Sequence, residues 1–207
     1  MKLCLIFLLA MLCPAADIKP VDLPAPQLDG GKPLMQALKA RQSAREFRDQ
    51  MPSPQVLSNL LWAAAGINRS DGRRTAPTAS NRQEIDIYVI LKDGLFLYEP
   101  KGHKLTAVLS DDLRALAGTQ DYVKTAPINL VYVADFAKYG TQMSDENKLT
   151  YSGADTGFIS QNVYLFCASE GLATVVRASV DRPALAKAMR LRPEQRIILE
   201  QPVGYAK

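Results

Sequence analysis

The 207-residue chain is 47% hydrophobic and carries a formal charge of +4, from 25 basic and 21 acidic residues. That length buries one full core or two small ones, so a single folded domain is expected. The cations are scattered rather than gathered in a stripe, which argues against nucleic acid as the main partner.

After Lys2 comes LCLIFLLAMLC, an apolar run too short to cross a bilayer as a mature helix, then the small residues of CPAADI. This is the layout of a secretory signal peptide over 1–16, cleaved near Ala15 or Ala16, and it leaves no transmembrane segment in the mature chain. Export to the periplasm is the expectation it carries. The alternatives are a lipid anchor on Cys13, for which AML supplies the wrong preceding residues, and cytoplasmic residence if the run is not a signal. Of three cysteines only Cys167 stays in the folded body, so no internal disulfide supports it.

Residues 17–33, DIKPVDLPAPQLDGGKP, hold four prolines and two adjacent glycines and read as a tether to a domain over 34–207. LMQALKA, 34–40, has helical spacing, with Leu34, Ala37 and Leu38 on one face. RQSAREF follows at 41–47. In an extended segment Arg41, Ser43 and Arg45 share one face, and guanidinium groups offer donors without acceptors, which suits an anion. A solvated basic turn is the other reading of the same residues. Ser53 and Pro54 then cap and open a buried helix, QVLSNLLWAAA, that stops at Gly66.

INRSDGRRTAPTASNRQ, 67–83, is loop chemistry, with Arg69, Arg73 and Arg74 ahead of Thr-Ala-Pro. EIDIYVI, DG and LFLYEP predict a hairpin over 85–98, and KLTAVL a third short strand. Ser110 is placed to cap a helix in SDDLRALAG. INLVYVA, 128–134, is apolar throughout and reads as a central strand. The uneven polar stretch 138–152 predicts an exposed loop or frayed helix that walls the pocket. A core helix is expected over 154–170, stopping at Gly171, then a strand in LATVVRASV, a helix in RPALAKAM capped by Asp181, and a closing strand in QRIILEQPVGY. The sum is an α+β domain with helices around one antiparallel or mixed sheet.

His103 is the only histidine and sits beside a turn, so a histidine metal site or a serine-histidine triad lacks material; a surface position is expected. Cys167 lies among Phe166 and Ala168 and reads as a small core residue. There is no GxGxxG and no GxxxxGK. Side chains so poor in covalent or metal chemistry point an enzymatic reading towards a borrowed redox cofactor.

Four elements, taken in order, resemble the nitroreductase family of flavoproteins. RQSAREF, 41–47, is similar to the family's R-x-S-x-R element, APTASNRQEIDIYVI, 76–90, to its P-S-x-x-N-x-Q loop and strand, QNVYLFCASEGLAT, 161–174, to its Q-N-x-x-L helix and Gly-Leu turn, and VGY, 203–205, to its closing motif. The resemblance implies a nitroreductase-like fold with FMN bound at a homodimer interface. It implies that Arg41 and Arg45 hold the FMN phosphate and that Gln42 and Ser43 reach ribityl or ring oxygens. Pro77, Thr78, Ala79 and Asn81 would meet the flavin from the partner subunit, Asn81 through its amide and the others largely through backbone. Glu170 and Gly171 would lie under the ring. Thr78 departs from the family's serine but keeps the hydroxyl. The family's C-terminal cation is here either Lys207, at the chain's last position, or Arg177 from the strand before; Gln120 and Tyr122 are vaguer contacts.

The activity so implied is ping-pong hydride or electron transfer through FMN to a small organic acceptor, nitroaromatic, quinone-like or enone-like. NAD(P)H is the donor the resemblance implies, and export would call for another reductant. The alternatives are a nitroreductase-fold binding protein without turnover and a member with other flavin chemistry, such as flavin fragmentation or ring oxidation.

Overall fold

The computed structural model describes residues 18–207. The expected signal peptide, with Cys4 and Cys13, lies outside them. The strands are β1 (Val21–Asp22), β2 (Ile85–Leu91), β3 (Gly94–Glu99), β4 (Lys104–Leu109), β5 (Ile128–Asp135), β6 (Leu172–Thr174) and β7 (Gln195–Tyr205). They form one seven-stranded sheet in the order β1-β4-β3-β2-β5-β7-β6, every pair antiparallel. The helices are α1 (Leu34–Ala40), α2 (Pro54–Ala65), α3 (Asp121–Thr125), α4 (Asp145–Glu170) and α5 (Arg182–Ala188).

β5 is buried at every residue, as its unbroken apolar run requires of a strand covered on both faces. Period-two alternation in β2 divides the core. Ile87 and Val89 face α2 and α4, among Leu60, Leu61, Ile159 and Val163, while Tyr88 and Ile90 face Val123, Leu185 and Met189. The Ser53 hydroxyl caps α2 by accepting from the Val56 N–H at 3.3 Å. Cys167 is buried, as expected, and burial pushes its thiol up.

α4 starts at Asp145, capped by Ser144, so of the loop or frayed helix expected over 138–152 the second part is the first two turns of the core helix itself. The buried residues of its first half are Ser152, Asp155 and Thr156, so that half shows no apolar stripe to read. SDDLRALAG makes only a 3-10 turn at Arg114–Leu116 in place of a capped helix. The strand of LATVVRASV is limited to Leu172–Thr174, beyond which only Arg177 bridges to Glu200.

The segment read as a tether packs on the domain. Val21 and Asp22 pair with Leu105 and Lys104, Ile18 and Leu23 join the core, and the Lys32 N–H donates to Ser169 Oγ at 2.7 Å. Prolines deny it regular structure without preventing docking on a sheet edge. His103, expected at the surface, is half-buried in a bridge. Its Nε2 lies 2.7 Å from Ser58 Oγ and its Nδ1 3.0 Å from the Tyr98 hydroxyl, while Ser58 also donates to the Pro24 carbonyl at 2.6 Å. Burial lowers the imidazole below its usual value.

On α1, which packs on α4, only Ala37 of the expected apolar face is buried; Leu34, Met35 and Leu38 stay exposed. Phe158 and Leu149 on α4 are exposed too. Among the described residues no helix is long and apolar enough to cross a membrane.

Candidate functional site

Residues 41–47 form an extended run stitched between two strand ends. The Ala44 N–H donates to the Thr174 carbonyl at 3.0 Å, the Arg48 N–H to Tyr205 at 2.9 Å, and Phe47 bridges to Ala206 and buries its ring beside Ala126 and Ala173. These contacts fix the backbone and leave the polar side chains turned outward. Arg41 and Ser43 do share a face. The Arg41 guanidinium sits 5.3 Å from the Tyr164 ring centroid, and Ser43 Oγ lies 2.8 Å from the Tyr164 hydroxyl. That hydroxyl accepts from the Val176 N–H at 2.9 Å, so when its proton goes to Ser43 the serine's own proton is free for a ligand. Arg45 is exposed. Lys207 lies alongside it, its N–H donating to the Glu46 carbonyl at 3.4 Å.

Beside this run a cleft of about 220 Å³ is lined by Gln42, Ala44, Tyr164 and Gly171. Gly171 ends α4 in the left-handed conformation, φ 71°, with its N–H on the Cys167 carbonyl. The positive φ is what calls for glycine, since a Cβ there would meet nothing within 4 Å. Glu170 instead turns to a neighbouring cleft of about 580 Å³ with Trp62 and Phe166. Lys32, hidden in the apparent tether, lines both clefts, and its Nζ donates to the Ala168 carbonyl near the end of α4 at 3.2 Å.

Pro77, Thr78, Ser80 and Asn81 line a different cleft, which shares no residue with the first two. Three non-glycine residues in this loop are left-handed: Ser80 (φ 55°), Asn81 (φ 51°) and Gln83 (φ 51°). Such backbone is held only where surroundings over-determine it. Here Asp155 Oδ2 accepts from the Ala79 N–H at 3.1 Å, Thr78 Oγ1 from the Gln83 N–H at 2.9 Å, and the Gln83 amide donates to Gly72 and Asn81, both at 3.0 Å. Ala79 therefore cannot offer its N–H to a ligand, and its carbonyl is taken by Arg82. The Thr78 hydroxyl shapes the loop through the oxygen where the family's serine was expected.

Under the loop Glu84 is fully buried, and neither carboxyl oxygen has a hydrogen-bond partner among the described residues; Tyr139 and Asp155 face it. Burial raises the carboxyl above the ordinary glutamate value of 4.5, and Asp155 adds to the rise. Folding then takes up a proton at Glu84. The stability this proton contributes is full below the unfolded value and is lost as pH climbs through the raised folded one. Glu84→Gln, a neutral near-isostere, is expected to match the wild type near about pH 4 and to exceed it near about pH 8, read as urea midpoints.

Arg177 does not reach the cation-rich loop. It is buried with Glu200, Nε to Oε2 at 2.7 Å, and its other donors go to Gln120 Oε1 and the Ala117 carbonyl. Gln120 is spent on that arginine, and Tyr122 stacks at 5.8 Å from it, so both vaguer contacts are structural. Lys207 is left as the C-terminal cation beside Arg45. Sequence reasoning missed Tyr164, Lys32 and Asp155. Tyr164 stood inside a quoted motif, whereas the other two gave no local signal.

The family model described as "Nitroreductase family" matches residues 38–205. The chain is 30% identical over 152 residues to a Methanocaldococcus jannaschii protein described as a nitroreductase, covering 69% of this chain and 76% of that one. It is similar to the crystal structure of a Ralstonia eutropha protein described likewise, with 42% identity, a TM-score of 0.87, and coverage of 92% and 90% of the two chains. In fold it is also similar to the NADPH:FMN oxidoreductase of Vibrio harveyi in complex with NAD+, with 17% identity, a TM-score of 0.64, and coverage of 84% and 68%. By fold and family this is an α+β flavoprotein of the oxidoreductase class. The chain belongs to the Nitroreductase family.

Proposed function

We propose that the protein is an FMN-dependent oxidoreductase acting as a homodimer. The observation that carries this is the donor set of the 41–47 run. Arg41, Ser43 and Arg45 alternate along this extended run, the Lys207 backbone pairs with it at Glu46, and Gln42 lines a cleft that ends at the bare backbone of Gly171. A phosphate of roughly two negative charges favours such paired guanidinium donors. FMN, when bound, supplies reversible two-electron storage between a nicotinamide-type donor and a small organic acceptor. The chain's own part is positional. Arg41, Arg45 and Lys207 bind the phosphate, Gln42 and Ser43 orient the ribityl chain, and Gly171 lets backbone approach a flat ring.

A second copy supports the reading because one chain keeps its half-sites apart. Pro77, Thr78 and Asn81 line a cleft separate from Gln42 and Gly171, and the unpartnered Leu34, Met35, Leu38 and Phe158 are apolar surface for a dimer to cover. Purified protein reconstituted with FMN is expected to show a flavin absorption spectrum and to elute as a dimer in light-scattering chromatography. Loss of all flavin on gel filtration overturns the cofactor; a monomer overturns the shared site. Export is part of the same proposal, and retention of a reporter fused to residues 1–33 in the cytoplasm overturns it.

A further inference from the structure

The cleft beneath the strained loop is lined by three guanidinium groups, those of Arg69, Arg73 and Arg74, with Thr78, Ser80 and Asn81 and no acidic residue; its volume is about 430 Å³. Their charge is poorly answered by the chain itself. Asp71 pairs with Arg73 at 2.6 Å, both side chains half exposed, and also answers part of the charge of Arg69, whose hydrogen bond among the described residues goes to the amide oxygen of Asn68. Arg74 is half-buried, its Nε finds no acceptor among the described residues, and its one bond, to the Ile85 carbonyl, is long at 3.5 Å. Of the carboxyls near it, Glu84 is driven towards its neutral form by burial, and Asp86 is already paired with Lys138 at 3.0 Å. Three cations against one exposed, paired carboxylate make a surplus that a bound anion would answer.

The cleft is also rigid. Ile67 bridges to Arg74, the Asn68 N–H donates to the Arg73 carbonyl at 3.1 Å, and the Gln83 amide ties Gly72 to Asn81 across the two rims. This bracing fixes the backbone from which the three side chains start, and the planar guanidinium fork suits a planar or tetrahedral oxyanion, whereas a solvated basic turn needs no such bracing.

We propose that Arg69, Arg73 and Arg74 form an anion-recognition site for the phosphate or carboxylate of a small-molecule substrate or electron donor that meets the flavin. The proposal rests on the flavin reading, in which Thr78 and Asn81 face the cofactor. The cofactor's phosphate is assigned to Arg41, Arg45 and Lys207, which leaves this second cationic site for the other reactant.

The test compares the wild type with Arg69→Gln/Arg73→Gln, two exposed positions outside the core. With saturating FMN, the ratio of KM for para-nitrobenzoate to KM for para-nitrobenzyl alcohol is expected to rise about tenfold in the variant. An unchanged ratio overturns the substrate site. A tenfold weaker FMN Kd with an unchanged ratio also overturns it, and assigns the anion to the cofactor's phosphate. A third arm needs neither flavin nor turnover: calorimetric titration of the flavin-free protein with pyrophosphate is expected to show saturable binding that the variant weakens about tenfold. Equal pyrophosphate affinity in both proteins overturns the site whether or not FMN binds, and a protein that binds pyrophosphate through these arginines but never FMN overturns the flavin reading alone.

Discussion

Arg41→Ala with Arg45→Ala is expected to weaken FMN binding more than a hundredfold while leaving the fold intact. Each charge-assisted contact to a phosphate contributes about 1.5–3 kcal/mol, and exposure of Arg45 argues for the low end, so the pair loses about 3 kcal/mol, or a little over a hundredfold in Kd. The fold is spared because neither side chain holds it. Arg45 makes no side-chain hydrogen bond to the described residues, and Arg41 contributes only its stacking on Tyr164 at 5.3 Å, about 0.5–1 kcal/mol. The run itself is held by the backbone of Ala44 and Arg48 and by the buried ring of Phe47. Fluorescence titration of FMN gives the affinity, and a urea melt gives the stability. Lys207→Ala should cost less, about tenfold, since its long exposed stem loses entropy on binding. Raising ionic strength should weaken wild-type binding and the variant less. An unchanged Kd in the double variant overturns the phosphate assignment.

What the sequence discloses follows from what each position reports. β5 is legible because burial on both faces leaves a continuous apolar run, and α2 because cap, proline and terminal glycine all agree. α4 is legible only in its second half. Its first half buries Ser152, which bonds the Tyr139 hydroxyl, and Asp155, which holds the loop 76–83 through the Ala79 N–H, and polar residues that serve neighbouring segments look like surface in the sequence. The same holds for the docked N-terminal segment, whose prolines conceal pairing decided by β4, a partner some eighty residues away.

For the site, the local part could be read. RQSAREF announced donors, and the resemblance gave them an anion. What could not be read was which cations stay free. Arg177 and Lys207 were equal candidates in the sequence, and only packing separates them, because Glu200 on β7 takes Arg177 inward. Left-handed Ser80, Asn81 and Gln83 were hidden for a related reason: their side chains do not demand that backbone, and Asp155 and Thr78 impose it from outside.

Arg177→Ala is expected to destabilise the protein by about 3–5 kcal/mol, a large share of the roughly 5–15 kcal/mol that holds a domain folded. Burial pushes the Glu200 carboxyl above the ordinary glutamate range, and the Arg177 guanidinium pulls it part of the way back. Truncation removes that counter-charge and also strands the Ala117 carbonyl and Gln120 Oε1, while Glu200 is itself fully buried, its second oxygen already without a partner among the described residues. A Cβ at Gly118 would fall on top of the guanidinium and push it off Glu200, so Gly118→Ala should destabilise through the same pair. Arg177→Met with Glu200→Met tests the cause. If the loss comes from an orphaned carboxyl rather than from a cavity, the apolar pair recovers most of it. Because the Arg177 guanidinium is spent on Glu200, Gln120 and the Ala117 carbonyl, FMN affinity measured well below the unfolding midpoint should stay within about twofold of the wild type. A loss of affinity as large as that of the Arg41 and Arg45 pair would return Arg177 to the phosphate site.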